Sequence, residues 1–311
     1  MNMQSQFSEA KPPHSALSQR ALLATLRVKA WTARKKDPAA TAETGERYNA
    51  EEGAIAVSKK LVNCDEYDAI GYVTKKIRDY HQKMTLPWSD AKGAPRILAV
   101  QAYPEYTNTF REKEEEHADK VAAFVRAFPG ARRAAKQLLG SMWHEDDYPD
   151  DIESRFAVAV DFSPVPDKRD WRVDLGDDDM AILRADVERQ TSDALNGAVR
   201  DAYERVGVVV GKMATTLRAY GADDPHPERR GPGRPRGSYF QQSLVAHVAD
   251  LAKILPLLNV TQDPRLDELA RRMVEELTHV EATELMEYRH LRNEVAGNAE
   301  AILKDIAGFM A

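Results

Sequence analysis

The sequence predicts a helix-dominated α+β fold, in which long, coiled-coil-like helices pack with a small antiparallel sheet. Three observations lead to this prediction. Of the 311 residues, 43% are hydrophobic and 30% charged but only 7% aromatic, a balance typical of helical chains. Apolar residues recur every three or four positions over long stretches, as on one face of an α-helix. Shorter stretches alternate apolar and polar residues, as in a half-buried strand.

Composition and the positions of proline and glycine divide the chain into four predicted parts. The first 18 residues are polar and contain two prolines, which is typical of a disordered tail. Residues 221–237 contain four prolines, four glycines and four arginines, the strongest linker signal in the chain. The predicted parts are a disordered tail at 1–18, a mixed α+β region at 19–175, a long helical hairpin at 176–260 with the basic linker at 221–237, and a long C-terminal helix at 261–311.

The mixed region begins with a predicted strand. Between Leu22 and Arg34, apolar residues alternate with basic ones, which predicts a strand with one wet, basic face. The polar stretch from Lys35 to Tyr48 is predicted to be a loop. Helices are predicted near Glu51–Val62 and over Glu66–Met84, where apolar residues recur at helical spacing.

The middle of the chain alternates between both kinds of element. Arg96–Ala102 is short and apolar, which predicts a strand or the entry to a helix. A helix is predicted over Tyr106–Phe128, with the charged run Arg111–His117 on its solvated face. Pro129 and Gly130 should end it, and helix should resume from Ala131 to Trp143.

The second half is predicted to be mostly helical. Alternating residues at Phe156–Phe162 and Trp171–Val173 predict a two-stranded hairpin. A long helix should follow from Asp177 to about Tyr220, because acidic residues favour a helix start. Further helices are predicted over Tyr239–Leu258 and from Pro264 to Met310, the latter beginning at an Asp-Pro cap and containing no further proline.

Charge, cysteine content and hydropathy exclude several classes of protein. A net charge of −6 argues against a surface coated in basic residues for bulk nucleic-acid binding, although a local basic patch is compatible with it. The single cysteine, Cys64, excludes an internal disulfide. No apolar run reaches the ~20 residues that span a bilayer, and the N-terminus has no apolar signal segment. We therefore expect a cytoplasmic protein without a membrane partner.

Few residue patterns suggest chemistry. Glu276–His279 and Glu287–His290 have the spacing of metal-binding bundles, but eleven positions on one helix separate them by roughly 16 Å at 1.5 Å per residue. The acidic loop 144–151 lacks the loop glycine and the bidentate glutamate at the spacing of an EF-hand, and whether it binds a metal stays open. The chain shows no phosphate loop, nucleophile elbow or zinc helix. We predict a non-enzyme without catalytic residues, cofactor or metal.

Two basic clusters are candidate nucleic-acid contacts. The linker contains Gly-Arg-Pro-Arg at 233–236, similar to an AT-hook, whose arginines enter the minor groove of A·T-rich DNA. A second cluster lies on and after the first predicted strand. If the fold brings the clusters together, the case for nucleic acid strengthens. The candidate residues are Arg229, Arg230, Arg234 and Arg236 in the linker and Arg27, Lys29, Arg34, Lys35 and Lys36 in the second cluster.

A candidate interface between copies of the chain lies on the C-terminal helix. Its apolar residues hold one face, with a shift of register near Glu284 that resembles a stutter. A long apolar face needs a partner helix, from the same chain or from another copy. The candidate interface residues are Leu277, Val280, Tyr288, Leu291, Val295 and Ile302.

Four short segments resemble an uncharacterised bacterial and phage family catalogued as domain-of-unknown-function thirty-one-fifty. They are VSKKL at Val57–Leu61, DYP at Asp147–Pro149, RGSYFQQSLVAHV at Arg236–Val248 and LNVTQDPRL at Leu258–Leu266. The resemblance spans Leu22 to about Leu277 and offers no active-site residues. It implies a phage or mobile-element setting and an AAA+ ATPase or DNA-processing partner. It also suggests that the arginines before residue 237 form a basic turn entering a helix.

Two functions are therefore expected from the sequence. The first is a non-enzymatic helical adaptor or scaffold of phage or mobile-element type that self-assembles, as a homo-oligomer, or docks on a partner. The alternative is a DNA-binding accessory protein for recombination or replication that uses the basic Gly-Arg-Pro-Arg linker.

Overall fold

The computed structural model describes residues 16–167, 176–220 and 243–310. The predicted fold class is confirmed, because helices dominate the chain and a small antiparallel sheet accompanies them. The basic linker at 221–237, the predicted strand at 171–173 and nearly all of the predicted tail lie outside the described residues. None of the described helices is both long enough and apolar enough to span a membrane.

The described elements follow one another along the chain as six strands and nine α-helices. The strands are β1 (Ala21–Lys29), β2 (Arg34–Lys36), β3 (Ser58–Lys60), β4 (Leu86–Pro87), β5 (Arg96–Ala99) and β6 (Ala157–Pro164). The helices are α1 (Ala16–Arg20), α2 (Pro38–Tyr48), α3 (Asp65–Met84), α4 (Tyr103–Leu139), α5 (Asp177–Ala219), α6 (Ser243–Leu258), α7 (Pro264–Arg272), α8 (Ala282–Glu287) and α9 (Arg289–Met310).

The chain forms two compact units whose segments alternate along the sequence. Unit 1 comprises residues 1–24, 84–103 and 162–311, and unit 2 comprises residues 25–83 and 104–161. The predicted parts were consecutive, whereas the chain passes between the units within β1, at the end of α3, at the start of α4 and within β6.

A four-stranded sheet has the strand order β4–β5–β1–β6. The antiparallel pairing of β1 with β5 sets Leu23 opposite Ile97, and both side chains are buried. The strand predicted over Leu22–Arg34 is confirmed for most of its length. Arg96–Ala102, for which strand and helix were both open, is a strand followed by one 3-10 turn.

In unit 2, α3 and α4 bury one face each. The predicted helix over Glu66–Met84 is confirmed as α3, with Ile70, Val73 and Ile77 buried at helical spacing. The predicted break at Pro129–Gly130 is wrong, because α4 continues through Pro129 to Leu139. The charged run at 111–117 is largely exposed as expected. Its last residue, His117, is buried instead, and burial lowers the pKa of the imidazole.

Two predictions near the start of unit 2 are wrong. The predicted loop at Lys35–Tyr48 contains β2 and α2, because Asp37 caps α2 by accepting a hydrogen bond from the Ala40 amide at 3.0 Å and Pro38 occupies the first turn. The predicted helix at Glu51–Val62 is a turn followed by β3. Its polar Ser-Lys-Lys core forms a strand because β2 pairs with it.

In unit 1, α5 and α9 pack against each other along much of their length. The long helix predicted to begin at Asp177 is confirmed as α5. Its buried face is rich in small residues such as Ala198 and Ala202, which allows close approach of the helices. On α9, Ala299 and Ile302 are fully buried.

The C-terminal region is not one long helix. The Asp263–Pro264 start is confirmed, since the Asp263 carboxylate accepts a hydrogen bond from the Arg265 amide at 3.0 Å. After α7 the backbone widens into a π turn over Met273–Leu277 and leaves helical geometry. Helix α8 then begins with a capping box formed by Glu281 and Glu284. The shift of register in the apolar pattern therefore marks a change of helix.

The candidate interface residues lie mostly in the core of unit 1. Leu277, Val295 and Ile302 are fully buried within the single chain, and Val280 is 5% exposed. Their apolar face is therefore covered by the chain's own helices, which removes the reason for assigning these residues to an interface between copies. Leu291 is half-buried and Tyr288 is 43% exposed.

We predict that Ile302→Ala lowers the free energy of unfolding by about 2–5 kcal/mol, because it leaves a cavity in the core of unit 1. The exposed Val208→Ala on α5 is the control and should change stability by at most about 0.5 kcal/mol. Urea unfolding followed by circular dichroism measures both. If Ile302 lay between copies, Ile302→Ala would reduce the mass in solution and leave the unfolding of the monomer unchanged.

Candidate functional site

The candidate site is built on the two-stranded antiparallel ribbon of β2 and β3 in unit 2. Arg34 lies opposite Lys60, Lys35 opposite Lys59 and Lys36 opposite Ser58. Because side chains alternate between the faces of a strand and paired residues share a face, the ribbon has two chemically different sides. The inner face carries Lys35 and Lys59, and the outer face carries Arg34, Lys36, Ser58 and Lys60.

Lys59 is the centre of a buried ion network on the inner face. Its side chain is only 3% exposed, and its Nζ lies 2.7 Å from Asp147 Oδ2 and 3.3 Å from Asp37 Oδ2. It also donates a 2.6 Å hydrogen bond to the carbonyl of Met142. The second oxygen of Asp147 accepts from Lys35 Nζ at 2.6 Å. The ammonium of Lys59 therefore has oxygen acceptors in three directions, which a buried charge requires.

The fold favours the ionised forms of Lys59, Asp37 and Asp147. Burial raises the pKa of Asp147, but the ammonium groups of Lys35 and Lys59 outweigh it, and the net effect lowers this pKa. A hydrogen bond from the Ala40 amide lowers the pKa of Asp37, and Lys59 adds to the effect. Burial alone would lower the pKa of Lys59, yet its two carboxylate partners raise it.

The same residues join the ribbon to its surroundings. Asp37, besides capping α2, donates its amide to the Val57 carbonyl at 3.0 Å. The Tyr148 hydroxyl donates a 2.9 Å hydrogen bond to the carbonyl of Leu61. The segments VSKKL and DYP, which are separated by more than eighty residues, thus meet through Lys59–Asp147 and Leu61–Tyr148. Both segments therefore belong to the same cluster of tertiary contacts.

A cluster of aromatic side chains packs next to the β2–β3 ribbon. Trp31 makes edge-to-face contacts with Tyr67 and Phe128, at centroid distances of 6.2 and 5.9 Å. The Tyr67 hydroxyl donates to the Trp31 carbonyl at 2.9 Å, which fixes the chain just before β2. Phe128 also packs on Tyr148, at 6.3 Å between centroids. Such ring pairs stabilise the ends of the ribbon beyond the burial of their area.

The outer face presents positive charge to solvent. Arg34, Lys36 and Lys60 are exposed, and none of them pairs with a carboxylate of any described residue. Lys60 donates to the amide oxygen of Asn63 at 2.6 Å, which leaves its charge uncompensated. Arg34 and Lys60 are direct cross-strand neighbours, an arrangement that costs free energy when no anion lies between the side chains. The outer face is therefore suited to an anion.

The other predicted basic residues have different surroundings. Arg27 forms an ion pair with Asp161, so its charge is already compensated. Lys35 belongs to the inner network, and Lys29 is exposed near the end of β1. The linker arginines, Arg229, Arg230, Arg234 and Arg236, lie outside the described residues, and their contact with nucleic acid stays a prediction.

Lys59 and Lys60 were missed because their stretch was predicted to be a helix. A signal was present, since Ser58–Lys59–Lys60 follows Val57 and precedes two apolar residues, a short stretch that can pair as a strand. The burial of Lys59 had no local signal, because its two carboxylate partners come from distant parts of the sequence.

The acidic loop and the Glu-x-x-His pairs are not gathered into a metal site. Asp147 is neutralised by lysines, and Glu145 pairs with Arg132 at 2.6 Å. Glu276 pairs with Arg272 at 2.7 Å. Over residues 16–167, 176–220 and 243–310, no group of three or more His, Cys, Asp or Glu side chains is arranged to hold a metal ion.

We predict that Lys59→Met lowers the free energy of unfolding by about 3 kcal/mol, because it leaves two buried carboxylates short of a counter-charge. Lys60→Met is the matched control, one residue away and exposed, and should change stability by at most about 0.5 kcal/mol. Urea unfolding with hydrogen exchange of the β2 and β3 amides measures the effect. Equal stabilities of the two variants would contradict a central role for Lys59.

The stability difference between the wild type and Lys59→Met should depend on pH at both ends of the range. Asp37 and Asp147 have folded-state pKa values below the ordinary 3.8, so their contribution holds above that value and is lost as the pH falls through the lowered pKa. Lys59 has a raised pKa, so its contribution holds below 10.5 and is lost as the pH rises through the folded-state value.

Unfolding midpoints of both proteins between roughly pH 3 and pH 11 test this dependence. The difference should be largest across neutral pH and shrink at each end. A difference that stays constant over the whole range would show that Lys59 stabilises the unit by packing alone.

Comparison of the chain with protein-family models, curated proteins and solved structures gives no match to any of them. The resemblance of VSKKL, DYP and the two later segments to a family therefore stays a prediction.

Proposed function

We propose that unit 2 binds the phosphate backbone of DNA through the outer face of the β2–β3 ribbon, as an accessory protein of DNA processing. One observation carries the proposal: Arg34, Lys36 and Lys60 form an exposed basic face without acidic partners among the described residues, on a ribbon anchored from its other side. Phosphates would remove the repulsion between Arg34 and Lys60. The major groove also admits a two-stranded ribbon.

Rigidity supports this proposal as much as charge. Flexible lysines lose side-chain entropy when they bind, and a backbone that is already fixed adds no further ordering cost. The Lys59 network and the Asp37 cap hold the backbone of both strands before any ligand arrives. The net charge of −6 argues against extensive coating of DNA and favours a short contact at a local basic patch.

The adaptor or scaffold function, with homo-oligomerisation or an AAA+ ATPase partner, stays a prediction from the sequence. The surface assigned to self-assembly was the apolar face of the C-terminal helices, and most of that face is buried within one chain. Basic residues of the outer face could also meet an acidic protein, and the experiment below includes that outcome.

We predict that DNA binding weakens with salt and that this dependence is reduced in the triple variant Arg34→Gln, Lys36→Gln and Lys60→Gln. Each lost phosphate contact should lower the slope of log affinity against log salt by about 0.9, so the slope should fall by about 2–3. Fluorescence anisotropy with a short labelled duplex, repeated over a salt series, measures the slopes.

The control variant removes the same charge elsewhere in unit 2. Arg78→Gln, Lys120→Gln and Arg126→Gln replace exposed residues of α3 and α4. Equal losses in the two triple variants would reject the ribbon as the interface. Displacement of the duplex by an equal charge of polyglutamate would instead favour an acidic protein partner. A further variant with alanine at the four linker arginines tests their predicted share of the binding.

A further inference from the structure

The outer face of the β2–β3 ribbon consists of two cross-strand pairs. Arg34 lies opposite Lys60 and forms the double-cation pair, and Lys36 lies opposite Ser58 and forms the lysine–serine pair. All four side chains are exposed. Because a strand rises about 3.4 Å per residue and the pairs are two residues apart, about 7 Å separates them along the ribbon. The face therefore presents two small groups of donors at a fixed distance.

Backbone hydrogen bonds at the two ends of the ribbon determine how closely the members of each pair approach. The Leu61 amide donates to the Ala33 carbonyl at 2.8 Å, and the Asp37 amide donates to the Val57 carbonyl at 3.0 Å. In an antiparallel ladder, hydrogen-bonded and non-hydrogen-bonded pairs alternate. Counting inward from both ends, the double-cation pair and the lysine–serine pair are both non-hydrogen-bonded. In such pairs the Cα atoms are only about 4.5 Å apart, and the side chains lie closer than in the other kind.

The double-cation pair is unfavourable unless an anion lies between its members. The register that the Lys59 network fixes holds two positive side chains next to each other. The ammonium of Lys60 donates one hydrogen bond to Asn63, so two of its three donors remain for another acceptor. The guanidinium of Arg34 presents a planar fork of donors that matches the oxygens of a phosphate. One phosphate between both cations would remove the repulsion and accept hydrogen bonds from each.

The lysine–serine pair provides one positive charge and one neutral donor. The Lys36 ammonium and the Ser58 hydroxyl are direct neighbours across the ladder, so both can donate to one phosphate. Along the ribbon this second group is about 7 Å from the first. Consecutive phosphates of one DNA strand are joined through a single sugar and have a comparable separation, whereas phosphates that face each other across a groove lie farther apart.

We propose, on the basis of the DNA binding proposed above, that the outer face binds two consecutive phosphates of one DNA strand. Arg34 and Lys60 share the first phosphate, whereas Lys36 and Ser58 hold the second, which makes Ser58 a further contact residue. Three positive charges then neutralise two phosphates. On a duplex, the triple variant should therefore lose about 1.8 in salt slope, twice the value for one phosphate.

Fluorescence anisotropy with a labelled single-stranded oligothymidine, over a salt series, tests the shared phosphate. Arg34→Gln and Lys60→Gln should each weaken binding but leave the slope of log affinity against log salt unchanged, because the remaining cation still neutralises the first phosphate. Only the double variant should lower the slope, by about 0.7, the value for one phosphate of a single strand. Lys36→Gln should lower it by about 0.7 on its own, because the second phosphate has no other cation.

Ser58→Ala tests the neutral donor. It should weaken binding about three- to tenfold, because one neutral hydrogen bond is lost, and it should leave the salt slope unchanged. Ser89→Ala, which changes an exposed serine of unit 1, is the control and should bind like the wild type. Hydrogen exchange of the β2 and β3 amides in each variant distinguishes a lost contact from a lost ribbon.

The possible results separate this two-phosphate contact from DNA binding itself. Wild-type affinity in the triple variant would reject DNA binding by the ribbon, and the two-phosphate contact with it. Slope losses of about 0.7 in each of the three single variants would keep DNA binding but overturn the shared phosphate. Binding to a duplex without binding to oligothymidine would assign the two phosphates to opposite strands. Wild-type affinity in Ser58→Ala would exclude its hydroxyl from the contact.

Discussion

The buried pairing of Lys59 with Asp37 and Asp147 is the constraint on which the rest of unit 2 depends. Three parts of the chain that are distant in sequence supply its charges, so the network forms only when α2, the ribbon and the loop after α4 are all in place. Burying ions is costly, and such pairs contribute more to a unique arrangement than to net stability. A shift of β3 by one residue would bury Lys60 and expose Lys59, breaking the contacts of Lys59 with Asp37, Asp147 and the Met142 carbonyl. The inner face thereby determines which side chains form the outer face.

This dependence explains how a ribbon of two three-residue strands persists. An isolated pair of short strands is marginally stable in water, and like charges placed opposite each other, as Arg34 and Lys60 are, weaken it further. The free energy that holds the ribbon therefore comes mainly from the aromatic core around Trp31 and Tyr67, while the ion network of the inner face fixes the register. Repulsion on the outer face is tolerated because the anchor is strong. The ribbon therefore holds the positive side chains of the outer face close together before phosphate binds.

The elements that sequence could predict were those with long periodic patterns. Helices α3 and α5 have many turns of apolar residues at helical spacing. The start of α7 is indicated by two neighbouring residues alone, Asp263 and Pro264. The start of α2 has the same Asp-Pro signal at Asp37, but the polar residues after it favoured a loop. Strand β3 has too few residues for a distinct alternating pattern. Its pairing with β2 depends on tertiary structure, which its local sequence does not indicate. Of the basic candidates, Arg34 and Lys36 were predicted, whereas Lys60 required the register.

The apolar face of the C-terminal helices shows a more general limit of periodicity. A regular apolar stripe indicates that one face of a helix must be buried, but it does not indicate which other element packs against that face. Helix α9, which carries the buried Val295 and Ile302, packs mainly against α5 of the same chain, whose alanine-rich face allows a close approach. The alanines at 198 and 202 were visible in the sequence and already indicated a closely packed neighbour. The two stripes, on α5 and α9, complement each other, and two complementary stripes in one chain favour packing within the chain over assembly between chains.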